Sequence, residues 1–206
     1  MILPSPLLEK AVNEFARLPG IGKKTALRLV LHLLSRDQGE VTRFSESIDQ
    51  MRKELSFCTR CHHIADQSRC SICDNRSRKQ ELICVVENIR DVIAIENTQQ
   101  FNGVYHVLGG IISPLDGIGP DQLNIQSLIE RIRNENPAEI IFALNATIQG
   151  DTTIYYISKK LDNHPVKITT IARGIAFGGE LEYADELTLA KSISNRMNVE
   201  HYMTGH

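Results

Sequence analysis

The chain has 206 residues, 42% of them hydrophobic, and a formal net charge of -2 at pH 7. That length allows one or two domains with a real core. The near-zero charge excludes an overall positive field that would draw the chain to nucleic acid or a membrane, so any such binding must come from a local patch. No run of 18 apolar residues occurs, and the start, MILPSPLLEK, lacks a basic segment leading into an apolar core and cleavage site; this predicts a cytoplasmic protein without membrane contact. Aromatic residues make up 5% and Trp is absent, a poor basis for a base-stacking platform. Tyr155 and Tyr156 are expected in the core or an interface.

In chain order, Leu7, Leu8, Val12, Phe15 and Leu18 recur at helical spacing behind Pro4 and Pro6 and predict a helix to about Arg17. Pro19 and Gly20 stop it, and Lys24 to Leu34 restart a helix with Ala26, Leu29, Val30 and Leu33 on one side. A polar turn around SRDQGE precedes a third helix over residues 43–56, with Phe44, Ile48, Met51 and Leu55 on one stripe. Residues 1–56 thus form a small helical unit. From residue 57 to 80 the composition turns to cysteine and polar side chains, too few apolar groups to pack alone. Beyond it, apolar runs at 82–87, 103–110, 139–145 and 166–172 alternate with helical patterns at 88–97, 122–135 and 150–161. That alternation predicts a parallel α/β domain over 81–175. Residues 186–197 read as a last amphipathic helix within a C-terminal segment, 176–206.

The stretch LPGIGKKTALRL, residues 18–29, joins the first two helices. Gly20 and Gly22 permit a positive φ and let another backbone come close. The turn feeds a helix start, whose unpaired N–H groups attract anions. Lys23 and Lys24 lie in that first turn, and Arg28 follows Lys24 by four residues on the same face, so these cations can track one phosphate strand without reading bases. The same residues also fit an ordinary helical hairpin with lysines for solubility. The stretch closely resembles the helix-hairpin-helix motif of DNA repair proteins, and that resemblance favours the DNA grip. One hairpin makes few phosphate contacts, so useful binding calls for several copies.

Cys58-x-x-Cys61 and Cys70-x-x-Cys73 are two pairs separated by eight residues. Two such turns facing each other give the four-thiolate cage that suits structural zinc. Two disulfides or an iron–sulfur cluster are the alternatives; a chain read as cytoplasmic disfavours the first, and nothing in the sequence calls for the redox chemistry of the second. With four cysteines filling a closed site, His62 and His63 are expected to be exposed. Cys84, inside an apolar strand, is expected as a small buried hydrophobe.

In the α/β part, Glu87 ends the first strand and NATIQGD, residues 145–151, follows the third. The stretch looks like a Toprim domain, whose pattern is a Glu after the first strand and Asp-x-Asp after a later one. Glu87 matches; Asn145-Ala146-Thr147 stands where the acid pair belongs, and a Mg²⁺ site needs converging carboxylates. Asp91 and Asp151 could compensate in part, or serve as helix N-terminal charges. No GxxxxGK[ST] is present, so ATP hydrolysis has no support.

The order of helix-hairpin-helix, four cysteines, Toprim-like domain and GIAFGGELEYADELTL, residues 174–189, resembles the RecR family of bacterial recombination mediators over essentially the whole chain. The resemblance implies a non-enzymatic DNA-binding protein assembled as a ring-shaped tetramer through its C-terminal segment. It also implies work with RecO and RecF to load RecA on single-stranded gaps coated by single-strand-binding protein. The expected site residues are Gly20, Gly22, Lys23, Lys24 and Arg28 for DNA, Cys58, Cys61, Cys70 and Cys73 for zinc, and Glu87 for a partner. A Mg²⁺-dependent nuclease or strand-transfer enzyme using Glu87 and Asp151 is the rival reading, and a zinc-held scaffold that contacts only proteins is a third.

Overall fold

The computed structural model describes residues 3–175, 178, 180–196, 198 and 199. The chain divides into two compact units, one ending at Leu55 and the other starting at Ser56.

The first unit is helical. Pro6 opens α1 (Pro6–Ala16), where its missing N–H costs nothing. After the turn comes α2 (Lys23–Leu34). Val12 of α1 meets Ala26 and Val30 of α2, and Leu8, Phe15, Ile21 and Leu27 pack around them. The third helix, α3 (Gln38–Glu54), starts at Gln38 rather than at residue 43. Its cause is local: the Asp37 carboxylate accepts from the Glu40 N–H at 3.1 Å, an N-cap that draws the supposed polar turn into the helix. No residue of α3 is buried, and Phe44, Ile48 and Met51 are 42%, 49% and 52% exposed.

The second unit opens with a two-stranded antiparallel ribbon, β1 (Ser56–Phe57) and β2 (Ile64–Ala65), followed by the short helix α4 (Ser71–Asp74). Four strands then form one parallel sheet: β3 (Lys79–Val86), β4 (Gly103–Val107), β5 (Glu139–Ala143) and β6 (Lys167–Thr170), in the order β4-β3-β5-β6. The crossovers carry α5 (Ile89–Asn97), α6 (Ile125–Glu135) and α7 (Ile148–Lys160). β3 begins three residues before the apolar run, and Glu87 lies just past its end. α6 begins at Ile125 because Pro120–Gln122 form a separate 3-10 turn.

Alternation along β3 builds the core on both faces. Ile83 and Val85 join Leu128, Ile132, Phe142 and Ile157 on one side, while Cys84 and Val86 join Val92 and Tyr105 on the other. Cys84 is the small buried hydrophobe expected of it. Tyr156 packs against the core, but Tyr155 is 65% exposed and lies outside it.

The last helix, α8 (Glu186–Ser194), starts at the N-cap Asp185. Residues 176, 177, 179, 197 and 200–206 of the C-terminal segment lie outside the described residues, so its proposed signature and end are described only in part. Among the described residues no helix is long and apolar enough to cross a membrane.

Candidate nucleic-acid interface, metal centre and sheet edge

The hairpin turn is built around Gly20, whose φ is +77°, a conformation that disfavours any side chain. The Ile21 N–H closes the turn on the Leu18 carbonyl at 3.1 Å. Gly22 is the N-cap of α2 with φ -82°, offers no side-chain cap, and is followed by a first turn without any acidic residue. The amides of that turn therefore face solvent with the positive end of the helix dipole behind them. Lys23, Lys24 and Arg28 are all exposed, and among the described residues none of the three takes part in an ion pair. Gly22 has an ordinary φ, and a Cβ added there would meet no protein atom within 4 Å. The fold thus has no steric need for glycine at this position, whereas a phosphate approaching the backbone does. Gly22→Ala is expected to lower stability by no more than about 1 kcal/mol, the cost of a poorer N-cap, while weakening DNA binding several-fold; thermal melts and a DNA titration on the same sample check this.

The four cysteines converge. Cys58, Cys61, Cys70 and Cys73 are buried, with their sulfurs all within 4.8 Å of one another. A tetrahedral zinc with Zn–S bonds of about 2.3 Å needs sulfurs about 3.8 Å apart, so the donor set fits that ion. Among the described residues it is the sole group of three or more His, Cys, Asp or Glu so arranged. The backbone shapes each knuckle: the Cys58 N–H donates to the His63 carbonyl at 2.7 Å, the His62 N–H donates to the Cys58 carbonyl at 2.9 Å, and the Cys73 N–H reaches the Cys70 sulfur at 3.5 Å. The hydrogen bond between Cys61 and Cys70 favours the thiolate on Cys70 and disfavours it on Cys61. The apolar side chains packed with the sulfurs are Ala65 and the partly buried Ile72. An apolar core this small cannot hold the segment.

His62 and His63 are not exposed as expected; both are half-buried. His62 has φ +61°. That turn aims its ring into the domain, where Nε2 meets Ser127 Oγ at 2.8 Å and the ring stacks edge-on against His106, with centroids 5.1 Å apart. Beside it the Val107 N–H, at the end of β4, donates to the Cys61 carbonyl at 2.8 Å. Arg60 forms a two-pronged pair with Glu135 at 2.8 and 2.7 Å, and Arg131, buried, donates to Glu135 at 3.1 Å and to the Tyr105 carbonyl at 2.8 Å. The cysteine segment is thereby bolted to β4 and α6 by polar contacts that apolar spacing does not reveal.

His106 is fully buried, its Nε2 bonded to the Asn124 carbonyl at 2.8 Å. Burial pushes its pKa down to about 3. The folded ring stays neutral where an unfolded histidine takes up a proton below about 6.5. Stability is therefore full above that pH and falls as pH drops from about 6.5 toward 3, by a few kcal/mol in all. His106→Gln, which keeps a donor for Asn124, should flatten the slope of urea-unfolding free energy between pH 7 and 5.5.

At the C-terminal edge of the sheet, β3 and β5 are neighbours joined through a reversal of strand order, the position where sites form in such folds. Glu87 follows β3, Asn145 follows β5, and the Asn145 amide donates to the Glu87 carboxylate across the gap at 2.9 Å. Where two carboxylates would share a cation, an amide and a carboxylate satisfy each other instead. Asp91 accepts from the Asn88 N–H at 2.9 Å, closing the capping box of α5. Asp151 is bonded by Arg173 at 2.6 Å, and that hydrogen bond holds its carboxyl below the usual range. The two acids that might have compensated thus have structural partners.

These features together define a helix-hairpin-helix protein with a four-cysteine centre and a Toprim-type sheet. Comparison with known proteins agrees. Residues 8–52 match the family model "RecR, helix-hairpin-helix", residues 81–172 match "Toprim domain", and residues 174–197 match "RecR, C-terminal". The chain is 57% identical over 197 residues to "Recombination protein RecR" of Amoebophilus asiaticus, covering 96% of this chain and 98% of that protein. It is 56% identical to the protein of the same name from Phocaeicola vulgatus over 94% of each, and 55% identical to that of Flavobacterium psychrophilum over 98% of each. The chain belongs to the RecR family.

Proposed function

We propose that this protein is a non-enzymatic mediator of recombinational DNA repair. In this reading the amides at Gly20 and Gly22 with Lys23, Lys24 and Arg28 hold DNA phosphates without reading sequence, on single-stranded, gapped or duplex DNA. Cys58, Cys61, Cys70 and Cys73 hold a zinc ion that fixes the 57–80 segment. The Glu87 edge of the Toprim domain, residues 81–175, docks a partner. The observation that carries the reading is the hairpin: exposed, unpaired cations on a helix start whose turn has a glycine the fold itself does not require.

The mediator acts with RecO and RecF to load RecA on gaps coated by single-strand-binding protein, in the cytoplasm, as a ring-shaped tetramer. Support for assembly comes from apolar surface that one chain leaves open: Phe44, Ile48 and Met51 on α3, and Leu181, Tyr183 and Leu187 before and in α8 of the segment 176–206. Phe44, Ile48 and Met51 share one stripe of α3, and a grouped apolar face of that kind marks an interaction surface. Against the nuclease reading stand the Glu87–Asn145 pair and the engaged Asp91 and Asp151. The test is a RecA-loading assay on gapped DNA coated by single-strand-binding protein with RecO present: added protein should shorten the lag before strand exchange, and an unchanged lag would sink the reading.

A further inference from the structure

The loop from Leu108 to Leu123 connects β4 to α6 on the same edge of the sheet as Glu87. Its tip, Pro114–Gly117, carries Leu115, which is 95% exposed. A single exposed leucine is ordinary on a loop free to move. This one is held. The Ser113 N–H donates to the Ile118 carbonyl at 3.0 Å and the Ile118 N–H returns a bond to the Ser113 carbonyl at 2.9 Å. Within that closed ring the Ser113 hydroxyl donates to Asp116 at 2.5 Å, and Gly117, at φ +72°, turns the chain back. The base is tied to the core: the Ile112 N–H donates to the buried Thr153 hydroxyl of α7 at 2.9 Å, and the Asn124 N–H donates to the Leu108 carbonyl at 2.9 Å. A tip so constrained loses little entropy when a partner covers it, which is the property of a binding anchor.

Charge selects the partner. Between Leu108 and Leu123 the sole charged side chains are Asp116 and Asp121, both exposed. A wedge between bases needs basic neighbours to hold the phosphates, and two carboxylates beside Leu115 repel them. We infer that the Leu115 tip is a docking anchor for a protein partner whose surface offers a leucine-sized apolar socket ringed by Arg or Lys. Glu87, whose carboxylate meets the Asn145 amide and no cation, adds one more acidic side chain to the same sheet edge. The anchor thus extends the docking edge proposed for Glu87. This inference rests on the proposed function for the identity of the partners.

The test titrates purified RecO and purified RecF separately onto the full-length protein, comparing wild type, Leu115→Asp and Asp121→Lys. Leu115→Asp is expected to weaken one of the two complexes at least about 30-fold, the scale of an interface hot spot. Asp121→Lys should weaken the same complex and reduce its salt dependence. Thermal melts and DNA affinity of both variants should match wild type. If both partners bind Leu115→Asp as tightly as wild type, the inference is overturned while the proposed function stands. If Leu115→Asp instead changes the oligomeric mass by light scattering, the socket belongs to a second copy of this chain and the inference is overturned. If neither partner binds wild type, the proposed function fails and takes the inference with it.

Discussion

Cys70→Ser is expected to release zinc and unfold residues 57–80, with a loss of several kcal/mol in stability. The segment has almost no apolar core besides its sulfurs and Ala65, so bonds to a zinc ion would supply what packing cannot; structural zinc contributes on the order of 10 kcal/mol of apparent binding free energy in small fingers. The damage should spread in one direction. Val107 loses its acceptor on Cys61, and His106 loses the His62 ring stacked against it. The two faces of the parallel sheet have their own large cores, so most of the sheet should persist. Hydrogen exchange should then rise at β4 and the start of α6 and stay slow in β5, with zinc content falling to background. Full exchange protection at Val107 in a zinc-free variant would contradict the bolted arrangement.

Reversing Lys23, Lys24 and Arg28 to Glu together is expected to abolish measurable DNA binding near physiological salt. Each phosphate contact contributes about 0.9 to the slope of log affinity against log salt. Removing three per hairpin and replacing them with repulsion costs at least about 100-fold, more if several hairpins act on one DNA. The fold should not suffer, since all three side chains are exposed and make no ion pair among the described residues. Unchanged affinity, measured by fluorescence anisotropy with labelled gapped DNA, would leave the hairpin a packing element and favour a scaffold that contacts only proteins.

Much of this architecture was legible because it rests on local rules. Apolar runs separated by helical spacing placed all four strands of the parallel sheet, and the two Cys-x-x-Cys pairs marked the cage. The errors have physical causes. The start of α3 depends on one capping carboxylate, Asp37, which the apolar stripe from Phe44 onward cannot report. His62 was expected at the surface because the cage was already complete; its positive φ and its contacts with Ser127 and His106, 65 and 44 positions away by residue number, are tertiary. Buried Arg131 looks like a solvated helix residue in sequence, since its acceptors are a strand carbonyl and a shared glutamate. Leu115 reads as one more loop residue until the hydrogen bonds of its ring are visible.

A protein that holds DNA by its phosphates alone, and does not cut it, has a signature that one experiment can read. The most direct measurement is a titration of wild-type protein onto labelled gapped DNA across a range of salt with Mg²⁺ present, followed by denaturing electrophoresis of the DNA. Affinity is expected to fall linearly in log–log form with salt and to be similar for unrelated sequences, and the DNA to keep its length. Binding that ignores salt, or DNA shortened in a Mg²⁺-dependent way, would contradict this reading.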